Sequence, residues 1–280
     1  MIRADGLEKQ YGRFRLSVSF SVPAGRVTGL IGRNGSGKST LLDCIQGLIR
    51  PEKGSLTVLG KEPAAFTAED RKRISSARQR TFGDSALTLS DWNALQKILL
   101  PEYDEEGFLK GCRDLSLPDE VPFKRLSEGQ RRALSSLSAL CRPAKLLILD
   151  EPTAGLDAAA REYLLDRLRV YLSDHDDCTA LITSHISSDL EGLCDDLILL
   201  EKGKIRLRTE TDALYENYGV LKLPEEDWKT LDKSRILASR AEKGIVSCLT
   251  DERQFYEENY PGAVIEAGSI DALILLQEDV

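Results

Sequence analysis

Gly32-Arg33-Asn34-Gly35-Ser36-Gly37-Lys38-Ser39 fits G-x-x-x-x-G-K-[ST], the spacing of a phosphate-cradling loop. Just before it, Leu16–Val22 alternates apolar with small polar residues, Pro23-Ala24-Gly25 interrupts, and Arg26–Ile31 resumes as a strand running into the glycines. Just after it, Leu41, Leu42, Ile45 and Leu48 recur at helical spacing from Ser39 onward, and Gly54–Gly60 reads as another short strand. In a strand–loop–helix unit the glycines let successive backbone N–H groups converge on phosphate oxygens, and the helix N-terminus adds positive potential. Lys38 would then bridge the β- and γ-phosphates and Ser39 would give a hydroxyl to Mg²⁺. An ordinary glycine-rich turn is the competing reading, disfavoured by the flanking strand and helix.

A second strand, Leu146-Leu147-Ile148-Leu149, ends in Asp150-Glu151 and has the unbroken hydrophobicity of a central parallel strand. Carboxylates there face the crevice at the carboxyl ends of parallel strands, where α/β proteins bind ligands. Asp150 is the expected Mg²⁺ holder, directly or through water, and Glu151 the group that polarises an attacking water. Without the glycine loop, the pair would read as a helix cap or a solvated turn. Further strands are expected at Ala180–Thr183 and Leu197–Leu200, and a mostly helical stretch at about 85–141 with a solvated Asp104-Glu105-Glu106 turn. Past Lys204, Ile245–Leu249 and Ala263–Ile265 read as strands, and Ser269 caps a last helix. The expected division is a main domain over 1–205 and an accessory α+β region over 206–280.

Composition bounds these readings. The 280 residues are 41% hydrophobic with a net charge of −8, an ordinary globular balance that opposes unspecific attraction to nucleic acid or anionic lipid. The longest stretch without a charged residue, Cys178–Ser188, is about half of the ~20 residues a membrane-spanning helix needs. Met1-Ile2-Arg3-Ala4-Asp5-Gly6 meets an acid before any apolar run, unlike a secretory signal, so a cytosolic location is expected. Six cysteines without a C-x-x-C pair read as reduced, buried small residues.

Leu126-Ser127-Glu128-Gly129-Gln130 has two readings that stay open. Ser127 and Gln130 satisfy capping-box spacing at a helix start, and the same hydroxyl and exposed amides suit a γ-phosphate presented by a second chain.

In their order along the chain, the glycine loop, LSEGQ, the LLILDE strand, Ala154-Gly155-Leu156-Asp157 and Thr183-Ser184-His185 resemble the ATP-binding subunits of the ABC transporter superfamily, over Tyr11 to about Lys204. The resemblance implies an α/β P-loop fold of ABC ATPase type: a mixed sheet core, an N-terminal antiparallel β part, a helical lobe and, in this chain, a small C-terminal extension. It implies ATP hydrolysis in a head-to-tail dimer, with each nucleotide held between the phosphate loop of one chain and the signature of the other. Ser127, Gly129 and Gln130 would then serve in trans, and Asp157 would organise the dimer interface near Glu151. Tyr11 takes the place of the adenine-stacking aromatic, Thr40 follows Ser39 in the phosphate-binding turn, and His185 resembles the γ-phosphate switch histidine. Gln79 resembles the glutamine that senses Mg²⁺ and the attacking water, although Ser76 and Arg78 depart from the pattern before it.

What the resemblance implies for function is an energy-coupling subunit at the cytoplasmic face of the cell membrane, acting as a homodimer or paralogous heterodimer on a separate membrane-spanning permease. By analogy the drug- and peptide-export branch is nearest. A soluble ABC ATPase acting on nucleic acid or ribosomes is the alternative; long coiled coils, tandem cassettes and basic patches, which mark such proteins, are missing from this sequence. ATP and Mg²⁺ are the expected cofactors and no nucleic acid is expected. A ligand-sensing or dimer-bracing role for 206–280 is open.

Overall fold

The computed structural model describes residues 1–78 and 85–275, so Gln79 lies outside the described residues. The chain opens with β1 (Ile2–Tyr11) and β2 (Phe14–Val22), then β3 (Val27–Ile31), α1 (Lys38–Ile45), β4 (Lys53–Val58), α2 (Ala68–Lys72) and β5 (Ile74–Ala77). A helical lobe follows: α3 (Leu89–Leu99), α4 (Glu105–Asp114) and α5 (Glu128–Leu140). The chain returns through β6 (Leu146–Asp150), α6 (Ala158–Asp174), β7 (Thr179–Ser184), α7 (Ser187–Leu190), β8 (Asp196–Glu201), β9 (Lys204–Glu210) and α8 (Thr211–Asn217). It ends with β10 (Gly219–Pro224), α9 (Glu225–Thr230), β11 (Ile236–Glu242), β12 (Ile245–Thr250), α10 (Arg253–Asn259), β13 (Val264–Ala267) and α11 (Ile270–Leu275).

Local chemistry sets the helix starts. Thr88 with Asp91 and Ser127 with Gln130 form reciprocal capping boxes at α3 and α5, satisfying amides the helices cannot. The acidic 104–106 turn is more than a solvated surface: Asp104 caps α4 by accepting from the Gly107 amide at 2.9 Å, and Glu105 pairs with Lys97 at 2.7 Å. The helix expected through Leu48 ends at Ile45, and Leu48 is 59% exposed.

The main sheet runs β5-β6-β7-β3-β8-β9, parallel except for β9, and β2-β1-β4 form a separate antiparallel sheet. Period-two alternation sends Leu146 and Ile148 to one face of β6 and Leu147 and Leu149 to the other, all at most 1% exposed. One face packs with α1 and the antiparallel sheet through Leu16, Leu41 and Ile45. The other face packs against α6, α7 and α8 through Leu168, Leu190 and Leu214. Each such side chain contributes about 1.5–3 kcal/mol of burial. All six cysteines are free and buried.

The last strands form a sheet ordered β11-β12-β10-β13, antiparallel throughout. With α9 and α10, this is a split β-α-β-β-α-β unit. Tyr256, Trp228, Phe255 and Tyr260 form its small core, as their aromatic content leads one to expect. The other face of that sheet is not independent: Val220 and Leu249, with Ile270 and Leu273 of α11, share the core of the main sheet.

Candidate functional site

The glycine loop joins the carboxyl end of β3 to α1. Gly37 caps α1 from the left-handed region (φ 109°), and a Cβ there would lie 2.7 Å from Phe14 Cζ, so the aromatic ring and the loop touch only because position 37 has no side chain. No side chain caps this helix, which leaves the first-turn amides of Lys38, Ser39 and Thr40 as donors at the cleft. Ser36 Oγ is buried with no hydrogen-bond partner among the described residues. Lys38 is 6% exposed; its Nζ donates to Gly32 O at 2.5 Å and lies 3.6 Å from Glu151 Oε1.

Across the sheet, β7 separates β3 from β6 and supplies a residue that sequence reasoning missed. Thr183 Oγ1 donates to Asp150 Oδ1 at 2.8 Å and accepts from the Glu151 amide at 2.9 Å. Ser39 Oγ donates to Asp150 Oδ2 at 3.4 Å, which ties the loop to the acid strand. Glu151 sits at φ 52°, a conformation that costs a non-glycine residue about 1–3 kcal/mol and persists where the surroundings impose it. Here the Glu151 amide bonds to both Thr183 O and Thr183 Oγ1. The result aims a nearly buried carboxylate between Lys38 and the half-exposed His185, whose Nδ1 is hydrogen-bonded to Glu151 Oε2.

Lys38, Ser39, Thr40, Asp150 and Glu151 line a cleft of about 580 Å³, a normal size for a ligand site, together with Tyr11, Phe14, Arg33, Asn34, Gly35 and Gly37. Tyr11 closes β1 and is 48% exposed, which suits stacking on a base. Phe14 was the second omission of the sequence reading; its place three residues after Tyr11, across the β1–β2 turn, was the available signal. The donor set suits a polyphosphate with a hard divalent cation: loop amides, one ammonium, and hydroxyl and carboxylate oxygens at Ser39 and Asp150. Among the described residues no group of three or more His, Cys, Asp or Glu is placed to hold a metal ion.

Ser127, Gly129, Gln130 and Asp157 do not line this cleft. Ser127 Oγ accepts from the Gln130 amide at 3.1 Å, and the Gln130 side chain accepts from the Ser127 amide at 2.9 Å, so the capping reading of LSEGQ is realised. A Cβ on Gly129 would lie 2.7 Å from Gly155 O, which lets the signature helix press against the loop after Glu151. Arg132 donates to Ala154 O, and Ser136 Oγ donates to Pro152 O at 3.1 Å, so the same loop is gripped along α5. Asp157 is exposed and caps α6 by accepting from the Ala160 amide at 2.8 Å.

Residues 16–154 match the ABC transporter family. A Nod factor export ATP-binding protein I of Bradyrhizobium sp. (strain SNU001) is 33% identical over 233 residues, covering 76% of this chain and 71% of that protein. The chain belongs to the ABC transporter family. It is an ATPase cassette of that family, with the P-loop fold of ABC ATPase type. The Nod factor export ATP-binding protein I of Ralstonia nicotianae is 31% identical over 211 residues, covering 73% of the cassette chain, which spans 65% of that relative, just under two thirds. The lantibiotic transport ATP-binding protein SrtF of Streptococcus pyogenes is 30% identical over 223 residues, covering 76% of the chain and 92% of that protein. A solved ATP-binding subunit of an ABC transporter superposes with a TM-score of 0.67 at 25% identity, over 76% of this chain and 91% of that one. A dimeric ATP-binding cassette bound to ADP and Pi superposes at 0.63 and 19% identity, over 75% and 98%, and supports the fold alone.

Proposed function

We propose that this cassette hydrolyses Mg-ATP to drive export through a separate membrane-spanning partner, working as a head-to-tail dimer. The observation that carries the reading is Glu151, strained and nearly buried between Lys38 and His185, beside the Ser39–Asp150 pair. Such a carboxylate is placed to orient a water and take its proton. Lys38 and the α1 amides would neutralise phosphate charge, and His185 would hold Glu151 in place and reach the γ-phosphate. Bound Mg²⁺ would supply electrostatic stabilisation of the developing phosphate charge, with Ser39 and Asp150 as its holders and Gln79 as its sensor. Tyr11 would stack on adenine.

Exposed Ser127 and Asp157, outside the cleft of their own chain, fit contribution in trans with Gly129 and Gln130. The export reading rests on the relatives' names; the permease, and hence the cytoplasmic membrane face, is inferred with it. No helix among the described residues is long and apolar enough to cross a membrane. Residues 206–280 form an accessory region in this reading.

Sizing chromatography of Glu151→Gln with Mg-ATP tests the sandwich: a stable dimer that dissociates when Mg²⁺ is removed is expected, and a persistent monomer refutes it. A detergent pull-down of the full chain from native membranes is expected to recover a multi-spanning protein. Recovery with ribosomes or nucleic acid alone would overturn the transport reading.

A further inference from the structure

We infer that Asp189 is a positioning residue for hydrolysis, a buried carboxylate that fixes the spacing between the segment after Glu151, the strand end carrying His185 and the helix begun by Asp157. The inference rests on the roles proposed above for those residues. Asp189 lies in α7, 1% exposed, and takes no part in the cleft. Its Oδ2 accepts from Thr153 Oγ1 and, at 3.2 Å, from Ser184 Oγ; its Oδ1 accepts from Arg161 Nε at 2.6 Å.

Each donor neighbours a candidate site residue. Thr153 follows Glu151 by one residue between them, and the intervening turn is closed by the Ala154 amide on Glu151 O at 3.3 Å. Ser184 directly precedes His185; its hydroxyl proton is shared between Asp189 Oδ2 and Ile186 O at 3.1 Å, and its Oγ accepts from the Ile186 amide at 2.9 Å, so the backbone is held on both sides of the histidine. Arg161 stands one helical turn after Asp157, its amide on Asp157 O at 2.9 Å, and its other arm reaches Ser188 Oγ at 2.5 Å.

A buried ion pair contributes little net stability compared with apolar packing of the same volume, because desolvation offsets its attraction. What this one supplies is geometry: a single carboxylate with three side-chain donors at set distances makes the Glu151 segment, the His185 turn and α6 move together. Reaction geometry is sensitive to such placement, a shift of about 1 Å costing about 100-fold in rate. ATP binding depends on the glycine loop and Lys38, which Asp189 does not touch.

The test is steady-state Mg-ATPase of the purified full-length chain for wild type, Asp189→Asn, Thr153→Val and their double variant, normalised to the folded fraction from melting curves. Asp189→Asn is expected to lower kcat about 10- to 100-fold with KM for Mg-ATP within about twofold. Thr153→Val is expected to lower kcat by about threefold, and the double variant to lose no more than Asp189→Asn alone, since both act through one cluster. A kcat per folded molecule equal to wild type, a change confined to KM, or fully additive losses would overturn the inference. If Asp189→Asn does not fold, the kcat-against-KM split of Thr153→Val decides. Glu151→Gln measured alongside separates the two readings: wild-type turnover there removes Glu151 as the activator, whereas its inactivity beside a fully active Asp189→Asn overturns Asp189 alone.

Discussion

The nucleotide cleft and the C-terminal split β-α-β-β-α-β unit are built on opposite principles. Around the cleft, Lys38, Asp150, Glu151, Thr183, Ser184 and Asp189 are all buried polar or charged groups, interlocked by hydrogen bonds, and Glu151 is held in a strained backbone conformation. After Tyr218, Thr250 is the one buried polar residue among those described, and the charged pairs, such as Lys222–Glu266, are exposed. Burying polar groups is expensive unless they are paired, and it gives up stability that apolar packing would supply. A fold concentrates that expense where chemistry requires it, and in this chain it lies around the cleft.

Glu151→Gln should lower ATPase turnover by about 10²–10⁴-fold in a steady-state assay while leaving the melting temperature near wild type, because it removes a proton acceptor and keeps the shape. Tyr256→Ala should do the reverse: its ring is fully buried in the C-terminal core, so urea unfolding should report about 3–5 kcal/mol lost, with nucleotide affinity of the folded protein unchanged. A Tyr256→Ala protein that loses ATP binding would show that the two regions are not separable in this way.

Smaller effects sharpen the boundary. Gly129→Ala forces a Cβ to within 2.7 Å of Gly155 O, so α5 must shift; the expected readout is a several-fold weaker Mg-ATP-dependent dimer in the Glu151→Gln background. The buried thiols of Cys112 and Cys248 are both pushed up to about 12 by desolvation, so disulfide-exchange labelling at pH 8 should be slow in the native protein and fast after denaturation. Because these groups hold their protons longer when folded, their contribution to stability is complete below the free-thiol range near pH 8.5 and falls as pH rises toward 12. Lys222→Ala, breaking an exposed pair, should change stability by about 1 kcal/mol or less.

Local signals carried the reading furthest. The strand–glycine loop–helix unit and the acid pair ending an apolar strand depend on near neighbours, and Lys38, Ser39, Asp150, Glu151 and His185 do converge in the fold. Thr183 and Asp189 were illegible because they act on partners far along the chain: Thr183 bonds Asp150 on the neighbouring strand, and Asp189 joins Thr153 and Arg161 to nearby Ser184. Gln79 is outside the described residues. In the C-terminal region Ile245–Leu249 and Ala263–Ile265 were visible as strands, the second formed at Val264–Ala267, whereas β10 and β11 were not. Pro224 and charged residues interrupt their short apolar runs, and pairing in the sheet, which sequence spacing does not record, decides their state.

The shared core of Val220, Leu249, Ile270 and Leu273 with Leu197 and Leu199 has a consequence for how the chain is made. During synthesis, α6, α7 and α8 can pack on this face of the main sheet, but its core is incomplete until Val220, Leu249, Ile270 and Leu273 have emerged from the ribosome. The first two hundred residues must therefore wait, partly wet on that face, for the last layer to close over them. Nascent cassettes stalled near residue 210 should be markedly more protease-sensitive and chaperone-bound than those released at full length.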